Sequence, residues 1–251
     1  MAKLELKGKV AVVGGGAKNL GGLISRTLAK EGANIVVHYH SDGSKDDADQ
    51  TVKAVKDAGV DAVAVQGDLT KVADCVKLFE GTKKHFGGFD VAVNTVGMVV
   101  KKPIVKTDEE EYDEMFNINT KAAYFFIREA GERINDNGKI ISIVTSLLAA
   151  FTEQYALYAG SKAPLEHFTR AAAKELGERG ISVTNVAPGP MDTPFFYPAE
   201  SDESIKFHKS QAMNGQLTKI EDIAPIVKFL ATEGWWITGQ TIFANGGYTT
   251  R

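Results

Sequence analysis

Residues 10–22 read VAVVGGGAKNLGG, a short apolar run that leads into five glycines within nine residues. The apolar run predicts a buried strand, and the helical spacing of Leu23, Ile24, Thr27 and Leu28 predicts a helix directly after the glycines. The glycines therefore lie where a strand ends and a helix begins. Because backbone N–H groups and the helix dipole converge on an anion at such a point, the stretch predicts a phosphate-binding loop.

The rest of the chain repeats this alternation of short apolar runs and longer helical patterns. The runs that predict further strands lie at residues 34–39, 61–66, 89–93, 139–144, 181–187 and 240–244. Strands that are apolar throughout and separated by helices predict a parallel sheet covered on both faces. With right-handed crossovers, the sequence predicts a single α/β domain over residues 1–251, a doubly wound Rossmann-like parallel sheet whose ligands bind at the carboxyl ends of the strands.

Composition excludes several classes of partner. The chain has 251 residues, 43% of them apolar, and a net charge of −3. This charge argues against nucleic acid or an anionic membrane as a partner. The sequence shows no apolar run near 18 residues and no signal segment, so we expect a cytoplasmic protein with no membrane partner. The five histidines lack metal-ligand spacing, and no metal site is expected.

Polar motifs recur at the ends of the later strands and on two helices. They are Asp68 and Leu69 after the third strand, NTVG at residues 94–97 after the fourth, Asn119 in FNINTKAAYFF, YAGSK at residues 158–162, and Pro188, Gly189 and Thr193 after the sixth strand. Together with the glycine loop, this ordered set resembles the short-chain dehydrogenase/reductase family over residues 9–247. The resemblance implies an oxidoreductase that uses a nicotinamide cofactor.

The glycine loop departs from the family pattern at two positions. Gly15 and Gly21 match the first and third family glycines, whereas Gly14 replaces the usual threonine and Asn19 replaces the middle glycine. Asparagine tolerates left-handed backbone angles best among the non-glycine residues, so we expect Asn19 to hold the turn. The cofactor contacts that the resemblance implies are Gly15, Lys18, Asn19, Leu20, Gly21, Tyr39, Ser41, Asp68, Leu69, Asn94, Gly97, Tyr158, Lys162, Pro188, Gly189 and Thr193.

The acid/base chemistry is expected from Tyr158 and Lys162, which lie one helical turn apart on the same face. A free tyrosine has a pKa of about 10, and a nearby Lys162 ammonium is expected to lower it. Tyr158 then exchanges a proton with a carbonyl or alcohol oxygen while the cofactor transfers hydride. The resemblance further implies that Lys162 binds the nicotinamide ribose and that Asn119 holds a water connecting this lysine to solvent.

A catalytic hydroxyl is also implied at the end of the fifth strand, and two residues compete for the role. A gap-free count back from Tyr158 falls on Thr145, whereas the adjacent Ser146 is the usual residue type. Successive strand residues face opposite sides, so only one of them is expected to point into the site. Both remain candidates, with a slight preference for Ser146.

The cofactor is predicted to be NADPH rather than NADH. Members of the family that bind NAD place an acid at the end of the second strand, to hydrogen-bond the ribose 2′-hydroxyl. Here that strand ends at Tyr39, and no acid follows until Asp42. Lys18 and Ser41 are expected to contact a 2′-phosphate. The aspartates of the next helix, such as Asp47, argue against NADPH because their negative charge would repel a 2′-phosphate.

The substrate pocket is expected to be lined by residues that precede Tyr158 and by a lid over residues 189–217. The predicted lining residues are Phe151, Gln154, Tyr155, Phe195 and Phe196. The leading prediction is an NADPH-dependent carbonyl reductase that acts on a ketone or aldehyde. The alternatives are a 3-oxoacyl reductase that acts on carrier-protein or CoA thioesters, and a catalytically silent NADP-binding sensor or scaffold. The resemblance also implies a homotetramer or a homodimer.

Overall fold

A computed structural model describes residues 4–150 and 152–250 and is built around one seven-stranded sheet. Its strands are β1 (Val10–Gly14), β2 (Asn34–Tyr39), β3 (Ala62–Gln66), β4 (Val91–Asn94), β5 (Lys139–Ile143), β6 (Ser182–Pro188) and β7 (Gln240–Ala244). All pairings are parallel, in the spatial order β3-β2-β1-β4-β5-β6-β7. This confirms the predicted doubly wound, Rossmann-like α/β fold.

Helices cover both faces of the sheet. The described α-helices are α1 (Asn19–Lys30), α2 (Lys45–Asp57), α3 (Val72–Phe86), α4 (Glu109–Phe116), α5 (Ala122–Arg133), α6 (Ala156–Lys162), α7 (Pro164–Glu175), α8 (Asp202–Gln211) and α9 (Ile220–Thr232). A π-helical turn, Asn117–Lys121, joins α4 to α5. In the part of the chain that the structure describes, no helix has the length and apolar character needed to cross a membrane.

The core consists of two apolar layers, one on each face of the sheet. In β1, Ala11 and Val13 belong to the layer under α1, α2 and α9, whereas Val10 and Val12 belong to the layer under α3, α5 and α7. This alternation is why β1 shows no polar residue: both of its faces are buried. Burying each of these three valines contributes roughly 1.5–3 kcal/mol.

The position of β1 fixes the position of the site. Val12 pairs with Val36 of β2 on one side and with Ala92 of β4 on the other, so the strand order reverses at β1. The segment that follows β1 and the segment that follows β4 turn to opposite faces of the sheet. A crevice therefore opens at the carboxyl ends of these two strands. The glycine loop lies at this switch point.

The segment between β6 and α9 carries a helix that the apolar pattern does not predict. Helix α8 is mostly polar and buries only His208. Its start is marked by Ser201, whose hydroxyl accepts a hydrogen bond from the Ser204 N–H at 3.2 Å as part of a capping box. The segment at residues 189–217, which we call the cover, therefore contains helix α8 between less regular stretches.

Candidate active site

The glycine loop has the geometry of a phosphate cradle. Gly15 and Asn19 both adopt left-handed backbone angles, with φ of +71° and +47°, so Asn19 takes the predicted conformation. A Cβ at Gly21 would lie 2.1 Å from the Gly15 carbonyl oxygen, so only glycine lets α1 start this close to the loop. Thr95, after β4, donates its hydroxyl to the Gly14 carbonyl at 2.8 Å and ties the loop to the neighbouring strand.

His38 braces the cradle from below, a role that the sequence pattern does not reveal. Its Nδ1 accepts the Gly15 N–H at 3.1 Å, and its Nε2 contacts the Gly67 carbonyl oxygen at 2.9 Å. Because the ring is buried, desolvation lowers its pKa from 6.5 to about 4. The neutral tautomer with the proton on Nε2 satisfies both contacts, so His38 joins the loop after β1 to the end of β3.

A cleft of about 1210 Å³ opens above the cradle. The predicted cofactor residues that line it are Gly15, Lys18, Asn19, Leu20, Gly21, Tyr39, Asp68, Leu69, Gly97, Tyr158, Lys162 and Thr193. Four predicted contacts lie elsewhere, and two of them, Pro188 and Gly189, line an adjoining smaller cavity. Asn94 is buried beneath the cleft, where its Oδ1 accepts the Val96 N–H at 3.0 Å. Ser41 is exposed outside the lining, which instead includes His40 and Ser44.

The two hydroxyl candidates after β5 have different partners. The Thr145 hydroxyl accepts the Leu147 N–H at 3.2 Å and lies close enough to the Tyr158 phenol to lower its pKa. The Ser146 hydroxyl donates to the Ala187 carbonyl at 3.0 Å and accepts from Asn245 Nδ2 at 3.0 Å. Both side chains line the cavity next to Tyr158, but of the two it is Thr145 that lowers the pKa of the phenol. These contacts do not support the preference for Ser146.

Tyr158 and Lys162 are perturbed by their surroundings in opposite directions. Desolvation raises the pKa of Tyr158 to about 12, and the nearby Thr145 hydroxyl offsets only part of this rise. Desolvation lowers the pKa of Lys162 to about 8. The Lys162 ammonium donates to the carbonyls of Ile143 at 3.2 Å and Val96 at 3.4 Å. The expected lowering of the Tyr158 pKa by Lys162 is therefore not what this structure shows. Tyr158 holds its proton at neutral pH.

Asn119 lies in the π-helical turn and fixes the loop that follows β4. Its Oδ1 accepts the Met98 N–H, and its Nδ2 donates to the Met98 carbonyl and to Ser161 Oγ, each at 2.9 Å. The side-chain amide is thus committed to protein partners on both atoms. The arrangement holds Gly97 beside Lys162, where a Cβ on Gly97 would lie 2.9 Å from Nζ.

A smaller cavity of about 80 Å³ adjoins the cleft at Tyr158 and Thr193. Of the predicted substrate residues, Tyr155, Phe195 and Phe196 line it, whereas Gln154 lines a different, neighbouring cleft. Phe151 lies outside the described residues. His208 and Tyr248 also line the cavity, and neither belongs to a recognisable motif. We refer to this space as the inner cavity.

The residues present fit a nicotinamide nucleotide. Thr193 Oγ1 is buried at the junction of the cleft and the inner cavity and has no hydrogen-bond partner among the described residues. A buried hydroxyl without a partner costs free energy, so a polar group of a ligand is expected there. The cradle, the Lys162 ammonium and this hydroxyl lie along one cleft, as a dinucleotide requires. No cluster of three metal-ligating side chains occurs within residues 4–150 and 152–250.

Comparisons with known sequences agree with this geometry. Residues 15–249 match a family model described as enoyl-(acyl carrier protein) reductase. The short chain dehydrogenase mdpC of Emericella nidulans is 33% identical, with 98% of this chain and 97% of that protein covered. The hydroxynaphthalene reductase-like protein Arp2 of Metarhizium brunneum is 36% identical, with 98% of this chain and 97% of that protein covered.

Solved structures show the same fold throughout. A protein from Burkholderia cenocepacia, assigned as a dehydrogenase and crystallised with bound NADP, superposes with a TM-score of 0.98 at 55% identity, covering 100% of this chain and 97% of that one. A blue fluorescent protein from a metagenomic library, in complex with NADPH, gives 0.93 at 34% identity, covering 98% and 100%.

The fold and the site together define a Rossmann-fold oxidoreductase. The sheet places a glycine cradle at its switch point, and the Tyr158–Lys162 helix faces that cradle across the cleft. The chain belongs to the short-chain dehydrogenase/reductase family.

Proposed function

We propose that this protein is an NADPH-dependent carbonyl reductase that converts a ketone or aldehyde to an alcohol, with Tyr158 as the general acid/base. The observation that carries the proposal is the position of the Tyr158 phenol, which holds its proton, lies beside Thr145 and lines both the cofactor cleft and the inner cavity. A proton donor at the boundary of two such spaces suits a carbonyl that receives hydride from one side.

Thr145 and Tyr158 perform complementary steps in this mechanism. A bound reduced nicotinamide would supply the hydride. The Thr145 and Tyr158 hydroxyls hydrogen-bond the carbonyl oxygen and orient it, and Tyr158 gives its proton to that oxygen as negative charge develops. A phenol with a pKa of about 12 still protonates an alkoxide readily, because the alkoxide is the far stronger base. The Lys162 cation lines the same cleft, where it would contact the nicotinamide ribose.

The preference for NADPH rests on the end of β2 and on the solved relatives with bound NADP or NADPH. Among the described residues, no acid follows β2 before Asp42, and Lys18, His40 and Ser44 line this end of the cleft. We therefore propose that Ser44, rather than Ser41, provides the hydroxyl that contacts the 2′-phosphate. Lys18 forms an ion pair with Asp47 at 2.9 Å. Because both side chains are substantially exposed, this pair is weak, and Lys18 can leave it to contact a 2′-phosphate.

An aromatic or cyclic ketone is the substrate class that the inner cavity favours. The rings of Tyr155, Phe195 and Phe196 line it, and the Metarhizium relative is a hydroxynaphthalene reductase-like protein. A 3-oxoacyl thioester is the second candidate, because the matched family model is named for a reductase of thioesters on acyl carrier protein. Enoyl reduction is disfavoured, because relatives with that activity space their tyrosine and lysine more widely than Tyr158 and Lys162.

Turnover measurements test the proposal directly. Oxidation of NADPH by the purified protein would be followed with a panel of cyclic, aromatic and 3-oxoacyl ketones. Tyr158→Phe is expected to reduce the rate about 10²- to 10⁴-fold, whereas Tyr124→Phe, on the exposed side of α5, serves as the matched control. NADPH binding without turnover on any ketone would support the sensor or scaffold instead.

We further propose assembly as a homotetramer or a homodimer. Tyr112 on α4 and Tyr124 on α5 are 48% and 46% exposed, which supports a subunit contact along these helices. Light scattering after size-exclusion chromatography measures the mass of the assembly, and a monomer at micromolar concentration would contradict this proposal.

A further inference from the structure

The carboxylate of Glu200 is fully buried in the cover over the inner cavity, although no motif includes it. Its oxygens contact three side chains. The Lys101 ammonium donates to Oε2 at 2.6 Å, the Tyr155 hydroxyl donates to Oε1, and His208 Nε2 lies 3.4 Å from Oε2. A buried carboxylate is tolerated only when it is paired and hydrogen-bonded in this way.

The three partners come from three separate segments around the substrate site. Lys101 belongs to the loop after β4, Tyr155 immediately precedes α6, and His208 lies on α8. The first two segments are already joined, because the Lys102 N–H donates to the Gln154 carbonyl at 2.8 Å. Glu200 attaches the cover to both of them through one side chain.

This cluster also forms a partition between two spaces. Tyr155, His208 and Tyr248 line the inner cavity on one side and a neighbouring cleft of about 510 Å³ on the other. His208 Nδ1 and the Tyr248 hydroxyl lie 3.0 Å apart, which closes the partition at its far end. We call Glu200, Lys101, Tyr155, His208 and Tyr248 the polar partition.

The inner cavity itself offers no charge to a substrate. Among the described residues that line it there is no Lys, Arg, Asp or Glu. The Lys101 ammonium, the nearest cation of the partition, is neutralised by Glu200 and also lies 5.4 Å from the centre of the Tyr155 ring. An ionised group on the substrate would therefore enter this cavity without a partner, at a large desolvation cost.

We propose that Glu200 is a specificity-determining residue: it latches the cover through the polar partition and restricts the enzyme to compact, uncharged carbonyl compounds. This inference rests on the proposed carbonyl reductase activity. Release of the latch joins the inner cavity to the neighbouring cleft, so that a longer substrate fits while a compact one is held less firmly.

The first experiment compares two ketones that share the reacting group, cyclohexanone and 4-phenylcyclohexanone. Glu200→Gln keeps the size of the side chain and removes its charge. The ratio of kcat/KM for the compact ketone to that for the longer one is expected to fall at least about tenfold, equivalent to about 1.4 kcal/mol of differential transition-state binding. Glu203→Gln, on the exposed side of α8, is the matched control and should leave the ratio unchanged. An equal change for both ketones would overturn the proposal.

Amide hydrogen exchange provides a readout that needs no turnover. Exchange across α8 is expected to be at least about tenfold faster in Glu200→Gln than in the wild-type protein or in Glu203→Gln. Thermal melting and NADPH titration of each variant establish that the sheet and the cradle are intact. Unchanged exchange across α8 would overturn the latch. Faster exchange in a protein that reduces no ketone would retain the latch and reject the carbonyl reductase activity, so the two failures are distinguishable.

A double-mutant cycle tests whether Lys101 and Glu200 act as a unit. Lys101→Met leaves the carboxylate buried without its cation, and is expected to accelerate α8 exchange more than Glu200→Gln does. The double variant should then exchange more slowly than Lys101→Met alone, because no unpaired charge remains. Multiplicative effects of the two substitutions would show that the pair does not carry the latch.

Discussion

Replacing His38 should weaken both the fold and the cofactor cradle, and should change how stability responds to acid. In His38→Ala, the Gly15 N–H and the Gly67 carbonyl lose their buried partner. Each unsatisfied group costs about 1–3 kcal/mol, so the free energy of unfolding at pH 7 is expected to fall by roughly 3 kcal/mol. The NADPH dissociation constant is expected to rise, because Gly15 belongs to the loop that would hold the phosphates.

The pH dependence follows from the low pKa of His38. Burial holds this pKa at about 4 in the folded protein, against 6.5 for a free imidazole. The unfolded chain therefore binds the proton more readily, and stability falls as the pH drops from 6.5 towards 4. Between pH 7 and pH 5, linkage gives a loss of about 2 kcal/mol from this residue. The nearby His40, Asp68 and Asp74 modulate the pKa but remain in the variant.

The assay is urea unfolding at pH 7 and pH 5, followed by tryptophan fluorescence. Wild-type protein should lose about 2 kcal/mol more between these pH values than His38→Ala loses. His38→Asn, which keeps an acceptor and a donor without titrating, should recover part of the stability at pH 7 and keep the shallow pH response. Equal pH responses in wild type and both variants would refute the reasoning, because His38 would then not be held neutral by the fold.

Three further predictions concern the catalytic and cofactor residues. Thr145→Val should lower kcat for ketone reduction at least about tenfold with little change in stability. Ser146→Ala should mainly lower the melting temperature. The opposite pattern would identify Ser146 as the residue that provides the catalytic hydroxyl. Gly21→Ala should abolish NADPH binding measured by fluorescence titration, since its Cβ would lie 2.1 Å from a backbone oxygen; retained affinity would contradict the cradle. The reduction rate should fall as the pH rises through about 8, where Lys162 loses its charge, and Lys162→Met should lack this decline in a pH–rate profile.

The sheet and the cradle could be predicted because their residues carry local signals. Apolar runs such as Val10–Gly14 are buried on both faces, and only a residue that tolerates φ of +47° can occupy position 19. Both constraints act over a few neighbouring residues, so one sequence displays them. Because the motifs follow the carboxyl ends of parallel strands, they are expected to meet at one edge of the sheet.

The remaining features depend on contacts between distant segments. Thr145 and Ser146 are adjacent in sequence, and only the partners Tyr158 and Ala187 distinguish them. In the sequence, Glu200 is one of several acids in a polar stretch. Only the structure shows that it pairs with Lys101, which lies 99 residues earlier in the chain. Tertiary neighbours of this kind leave no periodicity, and a single sequence cannot display them.

The cover between β6 and α9 has a consequence for how new activities arise on this scaffold. The cradle lies at the end of β1, whereas a large part of the wall of the inner cavity, from Gly189 to His208, comes from one contiguous segment. Exchange of that segment alone can change what is bound while the hydride and proton chemistry stays in place. Residues 189–217 can therefore be treated as an exchangeable module. Grafting this segment from a relative, together with residue 101, is expected to transfer the substrate range of that relative.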